Sequence, residues 1–170
     1  MVLSVKNYVR NVRSVLRARV KYAKKPTVLL FLKEIFGNSC LAYCYAYVAH
    51  PSSSIHQLTA CVLKGWSEHN IDDDGFVSRP VQYYNSLMPM DNIRIQDICK
   101  IDINNLNELP ATGMFSVEFK LERTDKKSHF AVCKRGKIVF DPSGDSNTCK
   151  YGVPVSYRKL MPSPSDKELW

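Results

Sequence analysis

A chain of 170 residues with 45% hydrophobic and 11% aromatic content is long enough to bury a core, and too apolar to be a disordered segment. Its net charge of +8 is unevenly held: residues 1–33 carry nine of the 24 Lys and Arg and no acid, whereas the remaining 137 carry 15 cations against 16 acids. No apolar run approaches the roughly 18 residues of a membrane-crossing helix, so we expect no transmembrane segment.

The six cysteines, Cys40, Cys44, Cys61, Cys99, Cys133 and Cys149, lie mostly inside apolar patterns and no secretion signal accompanies them. Reduced thiols in a cytoplasmic protein are the expectation. Cys40 and Cys44 are the one close pair, and His50, His56 and His69 complete no familiar zinc spacing, so neither metal nor cofactor is expected.

In chain order, Val5, Val9, Val12, Val15, Leu16 and Val20 recur at helical spacing with Arg10, Arg13, Arg17 and Lys21 between them. This predicts a basic amphipathic accessory helix over residues 1–25, suited to an acidic partner, nucleic acid or anionic membrane. Pro26 separates it from residues 26–170, taken as the main domain. Gly37-Asn38-Ser39 then introduces a helix that begins near Cys40 and ends near His50. A second helix is predicted from Ile55 to His69, followed by an acidic turn and a short extended piece in IDDDGFVSRP. Residues 81–110 read as one short helix with loops, and the tail from Pro154, with further prolines at 162 and 164, as irregular.

After Gly113 the period changes: MFSVEFKL, SHFAVC and KIVF alternate as strands do. Helices first and antiparallel strands later make an α+β arrangement. A three-residue loop, Lys134-Arg135-Gly136, would place His129 opposite Asp141 on one sheet face and leave Phe130, Val132, Ile138 and Phe140 on the other. A two-residue loop would separate His129 and Asp141 onto opposite faces.

That pairing invites a nucleophile. Cys40, in the first turn of its helix, meets unpaired amides and the positive end of the macrodipole, which favour a thiolate. Cys44, a turn deeper among Leu41, Tyr45 and Val48, reads as a small buried hydrophobe. A Cys40–His129 pair oriented by Asp141 is the activated nucleophile of acyl transfer, with the Cys40 amide as an oxyanion donor.

FGNSCLAYCYAYVA, SHFAV and VFDPSG together resemble the papain-like cysteine peptidase superfamily. They are nearest to its compact bacterial branch, which holds bacteriocin-processing peptidases and related phage, plasmid and spirochaete families. The resemblance covers about residues 34–144. It implies N-terminal helices packed on an antiparallel sheet, with Cys40 as nucleophile, His129 as general base and acid, and Asp141 as orienting group. A peptide or protein would be the substrate, cleaved at a peptide or isopeptide bond. Many relatives place Gln six residues before the Cys to complete the oxyanion hole; here that position is Glu34, and Asn38 is the substitute candidate. The alternative from another class is an inactive papain-like binding protein that works through its basic N-terminal helix.

Overall fold

The computed structural model describes residues 38–88, 94–125, 127–144 and 146–163. The basic helix expected over 1–25, Glu34 and the last residues of the tail lie outside them. The described residues form four α-helices and a five-stranded antiparallel sheet, the α+β class expected. None of these helices is long and apolar enough to cross a membrane.

Helix α1 (Cys40–Ala49) is the pivot of the fold. Five consecutive residues, Ala42, Tyr43, Cys44, Tyr45 and Ala46, are buried, so this helix is enclosed on every side rather than along one stripe. Helices α2 (Ile55–Ser67) and α3 (Pro80–Leu87) cover one flank and the sheet covers the other. Helix α2 starts where the sequence says it should, because Ser54 and Gln57 form a reciprocal capping box. Pro80 opens α3, where its missing N–H costs nothing. The two helices meet at Gly65: a Cβ there would fall on the Tyr83 ring, so only glycine permits the contact. Tyr83 is fully buried, and its hydroxyl donates to the Ala42 carbonyl at 3.2 Å, tying α3 to α1.

The strands are β1 (Ile95–Asp102), β2 (Phe115–Lys120), β3 (His129–Lys134), β4 (Lys137–Phe140) and β5 (Val153–Pro162), in the order β1-β5-β2-β3-β4. Two of these correct the sequence reading. Residues 81–110 contain not only a helix but the edge strand β1. The tail expected to be irregular supplies β5, which lies between β1 and β2. Its prolines sit where a strand tolerates them: Pro154 beside a register shift against β2, and Pro162 at the strand end.

The β3–β4 hairpin also departs from expectation. Arg135 takes φ 50° and Gly136 φ 70°, so the loop has two residues and Lys134 faces Lys137. Left there, the register would send Asp141 to the face opposite His129. A bulge corrects it: Cys133 pairs with Ile138, but Val132 pairs with Phe140, which leaves Val139 as the extra residue. Continued past Phe140, this register brings Asp141 across from Ala131, on the face that also carries His129. Ile138 leaves the predicted apolar layer and is exposed.

Phe130, Val132 and Phe140 still form that layer against α1, where the Tyr47 and Phe140 rings stack at 4.4 Å. The other face packs Val117, Phe119, Ala131, Cys133 and Tyr157 under Ile103 and Leu109, with Cys149 at its margin. Cys149 belongs to a fourth helix, α4 (Asn147–Tyr151), capped by Ser146, whose side chain accepts from the Cys149 amide at 3.0 Å.

Candidate functional site

Three segments converge where β3 begins. Helix α1 brings Cys40 at its first residue, β3 brings His129 at its first residue, and the end of β4 brings Asp141. The helix begins at Cys40, where the sequence expectation put it, with Ser39 at its N-cap position. Ser39, however, does not cap the helix with its side chain; its hydroxyl donates to the Gly75 carbonyl at 3.1 Å. Asn38 donates to the Asp74 carbonyl at 2.9 Å. Both bonds lock the helix mouth onto the turn formed by Asp72, Asp73, Asp74 and Gly75.

His129 Nε2 lies 2.7 Å from Asp141 Oδ1, with only 13% and 11% of the two side chains exposed. A carboxylate can only accept, so the neutral ring carries its proton on Nε2 and a lone pair on Nδ1. Asp141 is fixed in turn by the backbone N–H of Ser143 at 2.9 Å on Oδ1 and of Ser146 at 3.1 Å on Oδ2. Burial alone would raise the Asp141 carboxyl. The His129 bond and the two amides outweigh it and hold the group below its usual range.

Cys40 is half-buried and packs against the cluster that holds Phe130, the residue joined to His129. The expected low thiol pKa is not what the structure gives. Burial pushes the Cys40 thiol up, the amides of Phe130, Leu41 and Cys40 pull the other way, and the Asp141 charge adds to the rise. The resting sulfur is therefore a thiol, because desolvation outweighs the helix end. Cys44 is completely buried, as expected of a packing residue.

The sequence reading missed Cys149. Ligand atoms of His129, Asp141 and Cys149 all lie within 4.8 Å of one another. Burial pushes that thiol up to about 12, and the neighbouring Asp141 charge adds to the rise. The available signal was Ser146 three residues before Cys149, a cap that turns the chain back after the Asp-Pro-Ser-Gly bend.

A cavity of about 160 Å³ opens beside Cys40, walled by Leu41, Phe76, Val77 and Phe130, with Asn38 and Ser128 as its polar members. That volume suits one side chain rather than a cofactor-sized molecule, for which about 300 Å³ or more is usual. Asn38 has a second amide hydrogen besides the one given to Asp74. No family model, curated protein or solved structure matches the chain.

Proposed function

We propose that the protein is a thiol acyl-transfer enzyme, in its simplest form a hydrolase of peptide or isopeptide bonds, with Cys40 as nucleophile, His129 as base and acid, and Asp141 as orienting group. The observation that carries this reading is the 2.7 Å His129–Asp141 bond, set on the backbone against which the Cys40 sulfur rests. The papain-like resemblance of the same three motifs supports it.

Since Cys40 rests as a thiol, His129 has to work during attack rather than before it. Nδ1 takes the S–H proton as sulfur bonds to the carbonyl carbon, and Asp141 stabilises the imidazolium that results. The oxyanion develops beside the Cys40 amide, with the Asn38 side chain as second donor. The imidazolium then protonates the leaving amine, and water activated by the same nitrogen releases the acyl group. Cys40 is preferred to Cys149 as nucleophile because it lines the cavity, whereas burial and the Asp141 charge oppose ionisation of Cys149. The apolar walls favour an apolar side chain next to the scissile bond.

A peptide vinyl sulfone carrying such a side chain tests the reading. Peptide mapping should find the adduct on Cys40, formed by the folded protein and suppressed in denaturant. Equal labelling of all six cysteines, or labelling unaffected by denaturant, would defeat it.

A further inference from the structure

We infer that Cys149, His129 and Asp141 form a binding site for a thiophilic divalent cation of the Zn²⁺ class, and that its occupancy switches the imidazole out of acyl transfer. The second half rests on the function proposed above; the first does not.

The three groups differ in type, and each is a ligand that Zn²⁺ takes: a thiolate, an imidazole and a carboxylate. Their donor atoms lie within 4.8 Å of one another. Bonds of about 2.0–2.3 Å in a tetrahedron separate ligand atoms by about 3.3–3.8 Å, so small movements of side chains bring the set to bonding distance. Two of the three are already held. Asp141 keeps its orientation through the Ser143 and Ser146 amides, and Cys149 is fixed by the Ser146 cap at the start of α4. Three protein ligands leave a fourth position for water or an exogenous ligand, which is an open site rather than a closed structural one. Cysteine spacing in the sequence gave no sign of it because the ligands come from β3, the end of β4 and α4.

Binding releases one proton. The thiol of Cys149 loses its proton as its sulfur bonds to the metal, while His129 binds through an imidazole lone pair and Asp141 through a carboxylate oxygen. Inhibition follows whichever ring nitrogen binds. A cation on Nε2 leaves the tautomeric proton on Nδ1, and a cation on Nδ1 uses the lone pair directly. In both cases the base that Cys40 needs is gone.

Cobalt(II) is the probe. Titrated into the chelator-treated full chain, Co²⁺ should give a thiolate-to-metal charge-transfer band and tetrahedral ligand-field bands that saturate at one equivalent, and Zn²⁺ should displace them. Cys149→Ser should abolish the charge-transfer band and weaken binding by more than the roughly 10- to 100-fold that loss of an outer-shell partner costs. Cys99→Ser, which removes a thiol on the far strand β1, should leave both unchanged. If Cys149→Ser fails to fold, protection of Cys149 from iodoacetamide by Zn²⁺ in the unsubstituted protein reads the same contact. Absence of a band, a band that survives Cys149→Ser, or no protection of Cys149 overturns the site. Saturating Zn²⁺ should also slow transfer of an acetyl group from p-nitrophenyl acetate to Cys40 at least tenfold. A formed band without slowing overturns the switch. If the band forms and acylation never depended on His129, the metal site stands and the acyl-transfer reading falls.

Discussion

Two carboxylates in this protein are buried to the same degree and put to different uses. The side chains of Asp141 and Glu118 are each 11% exposed, each has one cationic or potentially cationic partner, and each is held below its usual pKa. For both, burial alone would push the other way, and hydrogen bonds together with the partner overcome it. Glu118 sits in mid-sheet on β2. It accepts from the Ser156 hydroxyl at 2.8 Å and pairs with Arg158 at 3.3 Å, while the Arg158 guanidinium lies 5.0 Å over the Phe130 ring. Arginine never loses its proton in a protein, so this pair has one state. Asp141 sits just past the end of β4, and its partner is an imidazole, whose second ring nitrogen carries a lone pair. The first arrangement holds the sheet against α1, and the second is the one to which the proposed function assigns a proton transfer. Depression of a carboxyl group does not by itself mark a site.

The comparison can be broken at either end. The largest effect is expected from Asp141→Asn. Its two oxygens accept three donors, from His129, Ser143 and Ser146, and an amide has only one acceptor to offer them. Acetyl transfer from p-nitrophenyl acetate to Cys40 should fall by about 10²-fold or more, the scale of lost acid–base assistance. Arg158→Met comes next and should act on stability: a buried carboxylate without its partner costs about 3 kcal/mol, read from urea unfolding. Adding Glu118→Leu should recover most of that loss, since two apolar groups leave no charge behind. Gly65→Ala should cost about 1–3 kcal/mol by driving α2 off Tyr83, with no direct effect on Cys40.

The smallest effects are in pH. Both carboxyls have folded-state pKa values below their unfolded ones, so the stability they add is complete above the unfolded values of about 4 and is lost as pH falls through the lowered folded values. In Arg158→Met the acid limb of a stability–pH curve should flatten, because the Glu118 share goes. Iodoacetamide should report the opposite displacement at Cys40: its rate should inflect above the ordinary thiol value of about 8.5, as burial raises that group.

What was legible in the sequence was local. Gly-Asn-Ser introduces α1, the helix expected from Ile55 to His69 is α2, and alternation marks β2 and β3. The meeting of His129 with Asp141 was foreseen through the wrong loop. The pairing survives because a positive φ at Arg135 shortened the turn and the bulge at Val139 restored the face, and neither leaves a mark in a hydrophobic pattern. Strand β5 was hidden by its prolines, which are harmless at a register shift and a strand end. Strand β1 was hidden by Asp97, Lys100 and Asp102, charges that suit an edge. The rise of the Cys40 thiol depends on how deeply α1 is enclosed, a tertiary quantity that outweighs the helix-end argument available from sequence.

The most direct test of the acyl-transfer reading compares wild type with His129→Ala in p-nitrophenyl acetate at pH 7, reading the acetylated residue by peptide mass mapping. Acetylation of Cys40 in the wild type, slowed about 10²-fold or more without His129, is the predicted result. An acetyl group on Cys149 or Cys61, or a Cys40 rate indifferent to His129, would contradict it.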